Sequence, residues 1–177
     1  HGLQRMFVDQ EDVFFYLTLM NENYSHPEMP EDSYDGIIKG LYALNKASRP
    51  GKKHVNLMGS GTILEQARMA AEMLDEDFGV KSSLYSAPSL NELARDGADC
   101  ERWNRLNPLE KPKTHYVSEV FDGTKGPIIA ATDYMKSYAE QIRPYISQPY
   151  TVLGTDGFGR SDSRANLRRH FEVNKHY

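Results

Sequence analysis

The feature of this 177-residue chain that most restricts its fold is a repeated order of segments. A short apolar run is followed by a turn rich in glycine, serine, threonine or aspartate, and then by a run with apolar residues at helical spacing. This order is typical of parallel strands that alternate with helices packed on the faces of a sheet. We therefore predict an α/β fold with three layers, in which a mostly parallel sheet is flanked by helices.

Five short, mostly apolar runs are predicted to be strands because they are bounded by polar residues, glycine or proline. They are residues 13–20, 54–58, 83–87, 128–131 and 150–153. The first of them precedes a polar stretch that contains two prolines, which is typical of a connector between domains. We therefore expect residues 13–20 to belong to a domain that precedes the other four strands.

Capping residues indicate where two of the helices begin and end. Thr62 and Glu65 have the spacing of a capping box, and Gly79 is placed to end the helix that follows. Ser89 and Glu92 repeat that spacing before a helix that is expected to run toward residue 103. Strand, cap and helix therefore occur twice in succession.

Two further helices are predicted from apolar spacing and from proline. Residues 37–44 carry apolar side chains at helical spacing, and Pro50-Gly51 would end that segment. Asp133 is expected to cap a helix over 134–142 that Pro144 closes.

Charge and hydropathy exclude two classes of function. The chain has 21 Lys and Arg against 25 Asp and Glu, and it lacks a long basic run, so nucleic acid is not an expected partner. The longest apolar stretch, 13–20, is too short to cross a bilayer, so no membrane span is expected. No secretory leader follows His1, which favours the cytoplasm. Cys100 is the only cysteine, so an internal disulfide is excluded.

The carboxyl ends of parallel strands meet at one edge of a sheet, where open α/β sheets bind their ligands. Gly59-Ser60-Gly61 is expected at this edge and could bind an anion through backbone N–H groups. The simpler interpretation is a tight strand-to-helix turn, because the lysine of a phosphate-binding loop is missing. The histidines do not have metal-ligand spacing, so no metal site is expected.

The loop of residues 154–162, after the last predicted strand, contains three glycines, two aspartates and an arginine. Asp156 or Asp162 could serve as an acid or as a metal ligand. The alternative is local structure, in which Asp162 or Ser161 caps a last helix that ends near residue 171. A loop of this composition is also suited to the wall of an active site or to a subunit interface.

Five strings of residues resemble one enzyme family closely, and in this order they are highly specific. They are 21–24 (NENY), 92–97 (ELARDG), 99–104 (DCERWN), 132–136 (TDYMK) and 153–164 (LGTDGFGRSDSR). The family is the homodimeric, thiamine-diphosphate-dependent decarboxylating component of bacterial pyruvate dehydrogenase complexes. The resemblance covers nearly the whole chain.

The resemblance implies that the chain is a fragment of a much longer enzyme. Residues 1–24 would end its central, pyrimidine-binding domain, 25–53 would be a linker and lead-in helix, and 54–177 would form a transketolase-type C-terminal domain. Such an enzyme decarboxylates pyruvate and reductively acetylates the lipoyl group of its partner, the dihydrolipoyl acetyltransferase. It works as a homodimer, and we expect the isolated chain to be inactive.

The same resemblance implies that thiamine diphosphate and Mg²⁺ are bound by other parts of the full-length enzyme. The family's Gly-Asp-Gly and Asn-Asn motif has no counterpart here, and neither has its activating glutamate, so no catalytic, cofactor-binding or metal-binding residue is assigned. Asp156, Phe158, Arg160 and Asp162 are the candidates for an active-site wall or a dimer interface. Two alternatives stay open: the C-terminal domain of another thiamine enzyme such as a transketolase, and a non-catalytic assembly module that docks through Phe158.

Overall fold

The computed structural model describes residues 1–21, 23–47 and 53–177. The helices within them are α1 (Tyr34–Lys39), α2 (Ile63–Phe78), α3 (Leu90–Leu106), α4 (Tyr116–Phe121), α5 (Lys136–Glu140) and α6 (Arg164–His170). The strands are β1 (Tyr42–Asn45), β2 (His54–Gly59), β3 (Lys81–Ser86), β4 (Ile128–Ala131) and β5 (Tyr150–Leu153). Short helical turns lie at Gln4–Val8, which is a π-helix, and at Arg143–Tyr145, which is a 3-10 helix.

The strands form one sheet in the order β1-β3-β2-β4-β5. β3, β2, β4 and β5 run parallel to one another, while β1 pairs antiparallel with β3 at the edge. All six residues of β2 are buried, as expected of a central strand with helices over both faces. The predicted α/β fold with a mostly parallel sheet is confirmed.

Side chains alternate along the strands and fill two separate cores, one on each face of the sheet. On one face, Val55 and Leu57 of β2 pack with Leu84 of β3 and Ala67 of α2. The core of the opposite face joins the sheet to α3, α4 and α5. Its buried members include Met58, Tyr85, Leu93, Phe121, Ile128, Ala139 and Val152. Helices therefore cover both faces, as the three-layer prediction required.

Four of the five predicted strands form within two residues of their expected bounds. Two helix boundaries are confirmed as well. Gly79 follows α2 in the left-handed conformation, with φ of 62°. Ser89 precedes α3, and its hydroxyl accepts a hydrogen bond from the backbone N–H of Glu92 at 3.2 Å.

The prediction of a strand at residues 13–20 is wrong, because these residues form no regular structure. Phe14, Tyr16 and Leu19 are 84%, 85% and 88% exposed. An apolar run becomes a buried strand only where a neighbouring strand satisfies its backbone hydrogen bonds. Since the described sheet lies wholly between residues 42 and 153, it does not supply that neighbour.

The helix predicted over 37–44 is only partly correct. α1 ends before Gly40, which has φ of 95°, and Tyr42–Asn45 forms β1. A side chain at Gly40 would overlap the carbonyl oxygen of Ser89, so the turn between α1 and β1 requires glycine. The predicted stop at Pro50-Gly51 lies outside the described residues.

The helix predicted over 134–142 is shorter than expected. α5 begins after Met135 rather than after Asp133, so Asp133 is not its cap. Pro144 falls in the 3-10 turn that follows. α4 has no counterpart among the predicted elements, because six residues are too few to show a clear helical period. Its buried side chains are Val117 and Phe121.

Candidate functional site

The sheet has a topological switch point between β2 and β4. The connection through α2 leads from β2 to β3 on one side, whereas the connection through α5 leads from β4 to β5 on the other side. The turns that leave β2 and β4 therefore diverge, and we call the position between them, at the carboxyl ends of these strands, the switch-point crevice. Open α/β sheets bind ligands in such crevices.

The turn 59–62 forms the β2 wall of this crevice. A side chain at Gly59 would come within 2.5 Å of the Cα atom of Leu64, and Gly61 has φ of 58°. The backbone N–H of Ser60 donates to the carbonyl oxygen of Ala131 at 3.0 Å, which ties the turn to the end of β4. Packing therefore accounts for Gly59 and the left-handed backbone for Gly61, and the weaker prediction of an anion site stays a prediction.

Three side chains from separate elements meet in the crevice. The hydroxyl of Thr62 donates to Oδ2 of Asp133 at 2.9 Å, and it accepts a hydrogen bond from Nη2 of Arg168 at 3.0 Å. The same Nη2 atom lies 3.9 Å from Oδ2 of Asp133. One hydroxyl therefore links a cation of α6 to a carboxylate that follows β4.

The predicted capping box at the start of α2 is not formed. Thr62 makes no side-chain cap bond, because its hydroxyl is engaged by Asp133 and Arg168. The carboxylate of Glu65 accepts hydrogen bonds from the guanidinium of Arg68 instead, at 2.6 and 2.9 Å. The spacing of Thr62 and Glu65 was correct for a cap, but the tertiary contact takes its place.

The loop that follows β5 packs onto the loop that follows β4. Thr155 donates from its hydroxyl to the carbonyl oxygen of Asp133 at 2.6 Å, and from its backbone N–H to that of Tyr134 at 2.9 Å. A side chain at Gly154 would lie 2.8 Å from the backbone of Tyr134 and of Lys136. Residues 154 and 155 thus fix the start of the 154–162 loop beside the crevice.

Two of the four predicted site residues accept hydrogen bonds from backbone N–H groups. Oδ1 of Asp156 accepts a hydrogen bond from the backbone N–H of Lys136 at 2.9 Å, at the start of α5. Oδ1 of Asp162 accepts from the backbone N–H of Ser163 at 2.6 Å and from Nδ2 of Asn166 at 2.8 Å. These hydrogen bonds, first the one from Asn166, lower the pKa of Asp162.

The sequence predicted Ser161 or Asp162 as the cap of α6. The residue that caps this helix is Ser163. Its hydroxyl accepts from the backbone N–H of Asn166 at 3.3 Å. Asp162 supports the same turn from one residue earlier. The general expectation of local structure here was correct, and the cap was displaced by one or two residues.

The other two predicted site residues point away from the fold. Phe158 is 94% exposed and follows Gly157, which has φ of 97°, while Arg160 is also exposed. Asp156, Phe158, Arg160 and Asp162 therefore do not converge on a common point. They form an exposed loop whose ends are fixed by Asp156 and Asp162.

A separate open cleft of about 430 Å³ lies beside α3 and α4. It was not predicted from the sequence, although Glu92, Asp96 and Cys100 of its lining lie in the strings 92–97 and 99–104. Its lining combines three carboxylates with two lysines and the single thiol: Lys39, Glu92, Asp96, Cys100, Lys113, Thr114, Tyr116 and Glu119. Several of these groups already serve the fold, since Oδ2 of Asp96 accepts from the backbone N–H of Tyr116 at 2.6 Å.

The thiol of Cys100 does not have the features of a nucleophile. It is 7% exposed, and its Sγ atom donates to the carbonyl oxygen of Thr114 at 3.6 Å. Burial, and next the nearby Asp96 carboxylate, raise the pKa of the thiol above its usual value. A reactive cysteine requires the opposite shift.

The described residues show neither a candidate metal cluster nor a helix that could span a membrane. Within 1–21, 23–47 and 53–177, no group of three or more His, Cys, Asp or Glu side chains is placed to hold a metal ion. Over the same ranges, the helices are too short or too polar to cross a bilayer.

Sequence reasoning missed the contribution of Arg168 and assigned Thr62 and Asp133 to other roles. Thr62 and Asp133 are 71 residues apart, and Thr62 and Arg168 are 106 residues apart. The available signal was the position of Thr62 and Asp133 directly after two predicted parallel strands. No comparable signal selects Arg168 from its basic neighbours on α6.

The chain matches a known family model whose class agrees with the fold described above. Residues 40–174 match the family described as the transketolase-like C-terminal domain, and residues 1–27 match the middle domain of the pyruvate dehydrogenase E1 component. The first match covers most of the chain, so the chain belongs to the transketolase-like C-terminal domain family.

Among curated proteins, the chain is similar to pyruvate dehydrogenase E1 components. It is 54% identical over 177 residues to that of Pseudomonas aeruginosa, and 54% identical over 178 residues to that of Escherichia coli K12. Each alignment covers 99% of this chain and 20% of the relative. The chain therefore spans about a fifth of the length of these relatives, and the resemblance found in the sequence is confirmed.

Among solved structures, the chain resembles transketolases in fold. The transketolase of Campylobacter jejuni matches with a TM-score of 0.54 and 15% identity, over 79% of this chain and 18% of the other. The transketolase of Leishmania mexicana matches with a TM-score of 0.52 and 18% identity, over 80% and 17%. At these identities the likeness concerns the fold alone.

Proposed function

We propose that this chain forms the C-terminal region of a thiamine-diphosphate-dependent pyruvate dehydrogenase E1 component. The complete enzyme would decarboxylate pyruvate and reductively acetylate the lipoyl group of a dihydrolipoyl acetyltransferase. The observation that carries the proposal is the identity of 50–54% to such components over 99% of the chain. The proposed division places the end of a middle domain at 1–24, a connector at 25–53 and the C-terminal domain at 54–177.

Within that enzyme, the proposed role of this region is structural. It would pack against the second subunit of a homodimer and shape the approach to the active site, with Asp156, Phe158, Arg160 and Asp162 at that boundary. The loop 154–162 supports this role because its ends are anchored while Phe158 is 94% exposed. Exposed aromatic side chains on anchored loops are suited to the centre of an interface.

We place the thiamine diphosphate and magnesium sites in other parts of the complete enzyme. In the described part of the chain, acidic, histidine and cysteine side chains do not gather in groups that could hold a metal ion. The carboxylate in the switch-point crevice, Asp133, is already engaged by Thr62. We therefore assign no cofactor contact to these residues, and the isolated chain is expected not to decarboxylate pyruvate.

An exchange of segments tests the proposal. The equivalent last fifth of the E. coli E1 component would be replaced by this chain, and the chimera assayed for pyruvate-dependent reduction of ferricyanide. We expect turnover with pyruvate and none with a ketose phosphate. A chimera that is dimeric by light scattering but inactive with pyruvate would contradict the proposal.

A second candidate function, a non-catalytic assembly module, is favoured by one observation, which is the exposure of Phe158 between two glycines. Multi-angle light scattering of the chain and of Phe158→Asp would measure self-association through this loop. Leu109→Asp is a matched control, because Leu109 is 98% exposed and lies in a different loop. Dissociation caused by Phe158→Asp alone would support docking through the loop. Equal effects of the two substitutions would count against it.

A further inference from the structure

The switch-point crevice is filled by a side chain of the chain itself. The side chain of Arg168 is only 13% exposed, and its guanidinium donates to the hydroxyl of Thr62 at 3.0 Å. The carboxylate of Asp133 lies 3.9 Å from the same nitrogen. The position that open α/β sheets commonly reserve for a ligand therefore holds an intramolecular cation.

Arg168 differs in this respect from the other basic residues at the end of α6. Arg169 and His170 are exposed, so helical geometry alone does not bury a cation here. Removing a guanidinium from water is unfavourable unless it is paired and hydrogen-bonded. The start of α2 also repels a cation through its dipole. The Asp133 carboxylate and the Thr62 hydroxyl offset part of this cost at Nη2, while the buried Nε atom of Arg168 has no hydrogen-bond partner among the described residues.

Further contacts hold the residues around Arg168 against the start of α2. Val173 is 1% exposed, and the backbone N–H of Lys175 donates to Oε1 of Gln66 at 3.2 Å. Arg164 donates to the hydroxyl of Tyr24 at 2.7 Å, which connects the same segment to the N-terminal part of the chain. Residues 163–177 thus lie as a strap beside the first turn of α2.

We infer that the switch-point crevice is a guanidinium site whose ligand is Arg168, and that this contact docks the strap of residues 163–177. The 154–162 loop is anchored at both ends. The first anchor is the hydrogen bond from Lys136 to Asp156, and docking of the strap positions the second anchor, which is Asp162. Arg168 is in this sense a positioning residue for the exposed loop. The inference goes beyond the proposed function and does not depend on it.

Hydrogen–deuterium exchange of the 177-residue chain tests the inference. In Arg168→Ala we expect amides of 164–173 to exchange about tenfold faster, the size expected from loss of a charged hydrogen bond. Peptides of β2 and β4 should be unchanged. Arg169→Ala is the matched control, because it removes the same charge from the same helix at an exposed position, and it should exchange as the wild type does.

Rescue by a small ligand identifies the site. Millimolar guanidinium chloride, compared with potassium chloride, should restore protection of 164–173 in Arg168→Ala. It should not do so in the double variant Thr62→Val/Arg168→Ala. Unchanged exchange in Arg168→Ala, equal losses in Arg169→Ala, or equal effects of the two salts would each overturn the inference.

Should Arg168→Ala fail to fold, Asp133→Asn addresses the same site from its other side. This variant retains an oxygen that can accept from Thr62 and removes the charge that faces Arg168. Faster exchange confined to 164–173 would support the inference, while unchanged exchange in a folded Asp133→Asn chain would overturn it.

Discussion

The hydroxyl of Thr62 donates a hydrogen bond of 2.9 Å to the carboxylate of Asp133. Thr62 follows β2 and Asp133 follows β4, so the bond joins the carboxyl ends of two neighbouring parallel strands. Each of these residues has the chemistry of a helix cap. In the folded chain they form a hydrogen bond with each other instead, and the hydroxyl of Thr62 also accepts a hydrogen bond from Arg168.

Replacing Thr62 with valine is expected to lower the free energy of unfolding by about 1–3 kcal/mol. Valine preserves the branched shape but removes the donor to Asp133 and the acceptor for Arg168. Urea unfolding followed by circular dichroism measures the change. Thr151→Val, at an exposed position of β5, is the control and should stay within about 0.5 kcal/mol of the wild type. Equal losses would contradict the assigned contact.

The two predicted capping boxes are expected to respond differently to alanine. Ser89→Ala should lower the free energy of unfolding by about 1 kcal/mol, because its hydroxyl caps α3. Glu65→Ala should change it by less than about 0.5 kcal/mol, since Glu65 forms an exposed ion pair with Arg68. Denaturant midpoints of the two variants provide the comparison. A larger loss of unfolding free energy in Glu65→Ala would indicate that the capping box at α2 does form.

Two helix-ending glycines with positive φ separate backbone strain from steric overlap. Gly79→Ala is expected to cost about 1–2 kcal/mol, because its surroundings are open and the left-handed conformation alone is penalised. Gly40→Ala should cost more, since the new methyl group would also overlap the carbonyl oxygen of Ser89. Thermal unfolding of the two variants measures the difference. Equal costs would indicate that the α1–β1 turn moves freely away from α3.

Cys100 is expected to react slowly with iodoacetamide in the folded chain. The thiol is buried and its pKa is raised, first by burial and then by Asp96, so little thiolate forms near pH 8. The labelling rate should rise at least about tenfold in urea, where the pKa returns toward its ordinary value. Mass spectrometry gives both rates. Fast labelling of the folded chain would show that the thiol is activated.

The pKa of Asp162 is expected to lie below its ordinary value of 3.8 in the folded chain. A group with a lowered folded pKa stabilises the fold above its unfolded pKa, and this contribution disappears as the pH falls through the folded pKa. The hydrogen bond from Asn166 is the largest cause, so Asn166→Ala should raise the pKa. Carboxyl NMR titrations of the two chains measure both values. An unchanged midpoint in Asn166→Ala would disprove the cause.

The sequence by itself determined the layer architecture and most of the parallel sheet. The runs 54–58, 83–87, 128–131 and 150–153 predicted strands because apolar composition and flanking turns are local signals. Gly79 and Ser89 were equally predictable, since a helix end is decided by one residue and its neighbours. The family resemblance was also visible in the sequence, because its strings are long and specific.

The tertiary structure alone decided which polar side chains meet and which apolar runs are covered. Residues 13–20 are apolar enough for a strand, yet they lie outside the sheet because strand formation depends on a neighbour for hydrogen bonding. Thr62, Asp133 and Arg168 belong to three distant segments, and strand order brings them to one crevice. Local spacing carries no information about such contacts, because the folded sheet, rather than separation along the chain, sets the distances between them.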